Sequence, residues 1–439
     1  MKFTALHRYV LVAAALLLPT AALTAALPHH DEQIHEGVAT CAGSQCHGAT
    51  TAKADSNVLQ NEYYLWSRED RHAQAYKTLL TEESKTMGRR LGITPHTDQQ
   101  CLVCHSDYVP DAMRGKRFRL SDGVGCEACH GGSENWLVSH VEKGATHADN
   151  LKAGLYPTEN PQARAEMCLT CHLGGPDHPI DHRIMGAGHP PLGFELDTFT
   201  AIQPAHYAMD ADYAERKGIR PPVEVWATGQ MISALRYLEE LSSSRLQEGL
   251  FPELVFFDCY ACHHELSADR WDAETAPGLG VGAVRLHGVN LLLVGQILDV
   301  TDAAAGKRWD AAVRELHIAS QASITATQTR AKAAMVLLRE LADAHAGRRY
   351  STAETWSLFG KVLDKARRMP DFNYAEQSNM ALEALYLTLV DAGEISSAAS
   401  KRIRAALDKG YGFTNAAEKY RADGYRAVLN DIRSQLPKR

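Results

Sequence analysis

The chain has 439 residues, 45% of them hydrophobic, 23% charged and 7% aromatic. That balance excludes the disordered, collagen-like and coiled-coil classes, and the length suggests two or three domains at about 150 residues each. The formal charge of −7 argues against a nucleic-acid binder. The charge is unevenly spread: residues 28–275 carry 21 Lys/Arg against 36 Asp/Glu, whereas residues 276–439 carry 23 against 17, and all ten cysteines lie in the acidic part.

At the N-terminus, Lys2 and Arg8 precede the apolar run Tyr9–Leu18, and the small residues Ala21, Ala22, Thr24, Ala25 and Ala26 follow. This is the layout of a secretory signal over residues 1–27, cleaved near Ala26. An apolar run of about ten residues falls short of the ~20 needed to span a bilayer. No later stretch is long and apolar enough to do so. The expectation is an exported, periplasmic protein with no membrane span after cleavage. His29, His30 and His35 follow in a polar, extended stretch expected at the surface.

Further along, the cysteines form five pairs, each followed at once by histidine. They read CAGSQCH (Cys41, Cys46, His47), CLVCH (Cys101, Cys104, His105), CEACH (Cys126, Cys129, His130), CLTCH (Cys168, Cys171, His172) and CYACH (Cys259, Cys262, His263). Two thiols so spaced add to the two vinyl groups of one haem, and the adjoining imidazole reaches its iron. Five such coincidences at the frequency of histidine here have a chance of order 10⁻⁷. Cys101/Cys104 with Cys126/Cys129 also has nearly zinc-ribbon spacing. Zinc, however, gives no reason for a histidine after every second cysteine. The first motif has four residues between its cysteines rather than two, a longer loop that still spans two vinyls. Five covalently attached c-type haems are therefore expected.

Twelve histidines of residues 28–275 lie outside the motifs, enough for a second axial ligand at every iron. The candidates in chain order are His72, in the helical stretch NEYYLWSREDRHAQAYKTLL; His140, ten residues past His130; His182, in PIDHRIM; His189, in MGAGHPP; and His206, in QPAHY. Gly186 and Gly188 before His189 allow close backbone approach to a flat cofactor, and Pro190 fixes the exit. His96, His147 and His178 are weaker candidates. His264 adjoins a motif histidine, cannot reach the same iron, and is read as solvated.

Between the motifs the pattern is one of short helices and loops. Residues 173–222 have almost no apolar periodicity, as expected of chain that wraps cofactors rather than packing on itself. A helix is predicted over Val223–Leu241, with Met231, Leu235 and Leu238 on one face. Beyond residue 276, amphipathic periodicity predicts helices near 284–300, 307–345, 352–368, 374–391 and 396–435, the last broken near Gly410–Gly412. Ser351 with Glu354 and Asn373 with Glu376 are capping-box-like starts, and Gly347, Pro370, Gly393 and Gly410 are predicted stops. The fold class is thus mainly α: a multihaem cytochrome c domain over 28–275, followed by a helical bundle over 276–439 without haem. His287, His317 and His345 read as helix-face or core residues.

With these motifs in view, the acidic half resembles the multihaem cytochromes of the cytochrome c-554 family, relatives of hydroxylamine oxidoreductase. The resemblance rests on WSREDRHAQAY after the first motif, on GVGCEACHGGSENW, and on AGHPPLGFELDTF. It implies distal-ligand roles for His72 and His140. The chain departs from the family type in its fifth motif, its lengthened first motif and its appended helices. The family also includes five-coordinate haems, which brings a catalytic role into view. The leading expectation is electron transfer between redox partners, either a basic protein that docks on the acidic face or a quinone-linked one. The alternative is a reductase or oxidase of a small nitrogen or sulfur compound at an open haem, with Tyr207, Arg183 or His178 as proton donors.

Overall fold

The computed structural model describes residues 25–436 apart from 55, 57, 249–251, 264–277, 281 and 370. Residues 1–24 of the expected signal segment, His264, the expected helix stop Pro370 and the expected boundary at 275/276 lie outside the described residues. The fold is mainly helical, as its class predicted. Among the described residues, β pairing is limited to the isolated bridges His35–Arg114 and Phe257–Leu286.

The first part is built from helices of a few turns at most, several of them started by a local polar cap. Asp98 caps Gln99–His105, Asn160 with Pro161 caps Pro161–His172, and Asp181 caps His182–Ala187. These side chains accept hydrogen bonds from first-turn N–H groups that have no partner within the helix. The stretch 173–222 is interrupted by three short helices, His182–Ala187, Leu196–Ile202 and Ala211–Lys217. The N-terminal stretch departs from its expected exposure at one residue. His35 is fully buried, with Nδ1 2.9 Å from Asp107 Oδ2 and Nε2 3.2 Å from the Pro28 carbonyl. It is a charged staple rather than a surface residue. Burial alone would lower its pKa, but its hydrogen bonds to Asp107 and Asp31 raise it to about 10.

The later part is a stack of long helices. Pro222–Ser242 is followed by Val289–Thr301, Ala303–Ser320, Ile324–His345, Thr352–Arg368, Phe372–Asp391, Ser397–Thr414 and Ala422–Gln435. The predicted 307–345 helix is two helices, because Ser323 starts a new one by accepting from Ala326 N–H. The break in the last predicted helix falls after Thr414 and not at Gly410–Gly412. Ser351 and Glu354 do form a reciprocal capping box. At the next helix the cap is Asp371 rather than Asn373.

One apolar core serves the whole later part, and it begins at Val223, Trp226 and Met231. The opposite face of Pro222–Ser242 packs Val225 and Ile232 into a smaller core with Ala165, Leu169, Phe194 and Leu196. That helix is apolar on both sides and buried on both, which joins the cysteine-bearing part to the bundle.

Candidate functional site

In the second and fourth motifs the run Cys-x-x-Cys-His ends a helix, and in the third the helix Glu127–His130 closes on the histidine. Positions i, i+3 and i+4 of a helix share a face, so two thiols and an imidazole project together. The fifth motif opens with the 3-10 turn Cys259–Ala261. In the first motif the helix stops at Cys41. The extra residues form a turn in which the Cys46 N–H donates to the Gly43 carbonyl (2.8 Å) and the His47 N–H to the Cys41 carbonyl (3.2 Å). This closure returns His47 to the side of Cys41.

Each motif histidine faces one distant histidine. Ring centroids are 6.2 Å apart for His47 and His140, 6.4 Å for His105 and His189, and 6.2 Å for His130 and His206. They are 6.2 Å apart for His172 and His72 and 6.3 Å for His263 and His182. A metal–imidazole bond of about 2 Å on each side, with ring centres about 1 Å further out, places two axial rings roughly 6 Å apart. All five separations fit one iron between two imidazoles. The ring planes fall into two groups: 9° and 29° for His47–His140 and His263–His182, but 84°, 89° and 89° for the other three.

The charge states of these rings divide as well. Burial pushes His130 down to about 3 and His172 to about 4, and it also lowers His105. Neutral imidazoles with a free lone pair result, the form that binds a metal. His47 and His72 instead meet carboxylates at 2.9 Å, Glu62 and Asp70 respectively, and both are raised. Burial would raise Asp70, but hydrogen bonds from the His72 ring and the Gln203 amide hold its carboxyl at about 2. Phe194 stacks on His172 at 5.1 Å and Phe199 meets it edge-on at 5.3 Å, closing the fourth site with apolar rings.

The motifs are also close to one another. Cys41 and Cys126 are close enough to perturb each other's ionisation, as are Cys104 and Cys171. Cys129 lies within electrostatic range of Cys168 and Cys171. The short helix His182–Ala187 carries His182 at its start, and His189 lies just beyond its end. It therefore links the fifth and second sites through a short stretch of chain. All ten cysteines are free thiols. Among the described residues, no cluster of three or more potential metal ligands includes a cysteine.

The remaining candidates lie elsewhere. His147 pairs with Glu159 at 2.9 Å, and His178 packs against His29 at 4.7 Å. His96 accepts from the Tyr76 hydroxyl through its backbone carbonyl. His287 lies beside Tyr237, and His317 and His345 bond carbonyls of their own helices. The three suggested proton donors are dispersed: Tyr207 stands beside His206, Arg183 by Asp181, and His178 by His29. Sequence reading did not single out Glu62 and Asp70. Their only signal is an acidic residue close in sequence to a ligand candidate, which is common.

Among the described residues no helix is long and apolar enough to cross a membrane. No curated protein and no solved structure matches the chain. The family model described as cytochrome c554 and c-prime matches residues 40–131, which take in the first three motifs together with His72. Over that segment the chain is similar to the cytochrome c554 family, a family of c-type cytochromes.

Proposed function

We propose that the protein is an exported pentahaem electron carrier in which all five irons are held between two histidines. The observation that carries this reading is the set of five histidine pairs at 6.2–6.4 Å. Cys41/Cys46, Cys101/Cys104, Cys126/Cys129, Cys168/Cys171 and Cys259/Cys262 would hold the haems. His47, His105, His130, His172 and His263 would bind one face of each iron, and His140, His189, His206, His72 and His182 the other. Haem supplies a one-electron couple whose potential the protein sets through ligands, burial and hydrogen bonds.

The chain's part is to fix ligands and distances. With a histidine on each face no coordination position remains for a substrate, so outer-sphere electron exchange is the chemistry that fits. The nearness of these cysteines and the short helix His182–Ala187 support an order of sites, by motif, of 1–3–4–2–5. Electrons would enter at one end and leave at the other. The excess of carboxylates over residues 28–275 suits a basic redox partner steered to that surface.

Intact mass of the mature protein should show five haems. Four would remove the Cys41/Cys46 site. Electron paramagnetic resonance of the oxidised protein should show low-spin iron in two classes. Two rhombic signals are expected from the near-parallel ring pairs and three strongly anisotropic ones from the near-perpendicular pairs. A clear high-spin signal, with turnover of hydroxylamine, nitrite or tetrathionate, would instead identify a reductase or oxidase.

A further inference from the structure

We propose that Glu62 and Asp70 impose a redox order on the five sites, holding the irons at His47–His140 and His72–His172 at lower potential than the other three. This rests on the bis-histidine reading above and names positioning residues within it. An imidazole bound to a metal through Nε2 keeps one proton, on Nδ1, and the acceptor of that proton tunes the ring as a ligand. An anionic acceptor draws the proton and leaves the ring more imidazolate-like. Such a ring donates more strongly and favours ferric over ferrous iron. A neutral carbonyl does so much less.

The structure separates these cases. His47 Nδ1 is 2.9 Å from Glu62 Oε2, and His72 Nδ1 is 2.9 Å from Asp70 Oδ1. His140 Nδ1 lies 3.1 Å from the Trp136 carbonyl, His189 Nδ1 2.8 Å from the Pro190 carbonyl, and His105 Nδ1 3.0 Å from the Ala75 carbonyl. Among the described residues, no carboxylate forms an ion pair with a histidine of the second, third or fifth site.

Both carboxylates are fixed as anions by further donors. Asp70 accepts from the His72 N–H at 2.9 Å and from Gln203 Nε2 at 3.0 Å, and Glu62 Oε1 accepts from the Gln60 N–H at 3.0 Å. Their side chains are 6% and 17% exposed, so water screens them little. Along the site order 1–3–4–2–5 this gives low, high, low, high, high. The first electrons to arrive settle on the second, third and fifth sites.

The test is a reductive titration of the full-length, haem-loaded protein, followed by visible absorbance and paramagnetic resonance. Glu62→Gln and Asp70→Asn remove the charge and keep an acceptor oxygen. Each should move one midpoint upward from the low end of the titration, with four unmoved, five haems retained and all iron low-spin. The shorter or longer carboxylates Glu62→Asp and Asp70→Glu should restore most of the low potential. Wild-type protein gives an independent reading. The last two ferric signals to disappear should be one rhombic, from the 9° pair, and one strongly anisotropic, from the 89° pair His72–His172. Unmoved midpoints in low-spin pentahaem variants, or two last signals of the same class, would overturn the redox order alone. A haem count below five or high-spin wild-type iron would instead remove the bis-histidine reading beneath it.

Discussion

A histidine opposite an iron differs from one that merely lies near it in what its loss does. Removing His140 or His72 as alanine leaves the cysteines and motif histidines untouched, so covalent attachment should stay at five haems. One iron in each variant should gain a high-spin signal, and no change in the spectrum would remove that residue from the ligand set. Where the bundle meets the cysteine-bearing part, two acids behave differently from Glu62 and Asp70. Burial raises Glu376 from 4.5 to about 7, and burial with the nearby Glu195 charge raises Asp197 from 3.8 to about 8. A carboxyl raised in the fold gives stability that is complete below its unfolded pKa and is lost as pH rises through its folded one. The stability these two carboxyls supply should therefore fall between about pH 4 and 8. Glu376→Gln should flatten that slope and be the more stable protein at pH 8 by about 3 kcal/mol, and parallel stability curves for the two proteins would count against a neutral Glu376. At this scale the motif residues were plain in the sequence because their chemistry is local. The partnerships were not, since His72 meets a histidine one hundred positions away, and nothing in either neighbourhood encodes which.

Helix type was largely legible and helix ends only where a side chain acts locally. Ser351 and Glu354 form their capping box within four residues, and the helix Thr352–Arg368 begins where the pattern put it. Ser351→Ala should lower stability by about 1 kcal/mol, read by chemical denaturation; no change would mean the cap is redundant with water. Gly410 illustrates the opposite case. It looks like a helix stop, yet it sits inside Ser397–Thr414, fully buried, where a Cβ would overlap Asn379 Oδ1. The glycine is there for close approach between two helices, a requirement set by the partner helix and invisible along one strand of sequence. Gly410→Ala should destabilise by about 1–3 kcal/mol, as overpacking does, and an unchanged denaturation midpoint would show that Asn379 moves aside freely.

For the molecule as a whole, the change in composition and charge near residue 276 suggests two independent halves, but the packing joins them. Trp226, Met231, Leu238 and Leu241 of Pro222–Ser242 share one core with Leu293, Leu338, Phe359 and Leu385. Polar contacts cross the same join: Gln377 Nε2 donates to the Phe194 carbonyl at 3.0 Å, Asn290 Nδ2 to Gln230 Oε1 at 2.8 Å, and Asn373 Nδ2 to Asp258 Oδ1 at 3.0 Å. Arg245, paired with Glu240 at 2.7 Å, donates to the Ile180 carbonyl at 2.7 Å, just before the helix that links the second and fifth sites. A bundle cut free at residue 280 would expose the apolar surface that Pro222–Ser242 covers. Each large side chain lost from such a core costs about 2–5 kcal/mol, comparable in sum to the whole stability of a domain. Residues 280–439 alone should therefore be poorly folded, even though their sequence reads as a self-sufficient helical unit. In the full haem-loaded protein, circular dichroism of the helices and of the haem band should report one coincident unfolding transition. Two separated transitions, or a fragment that folds cooperatively by itself, would mean that the long helix is a tether between halves and not part of a common core.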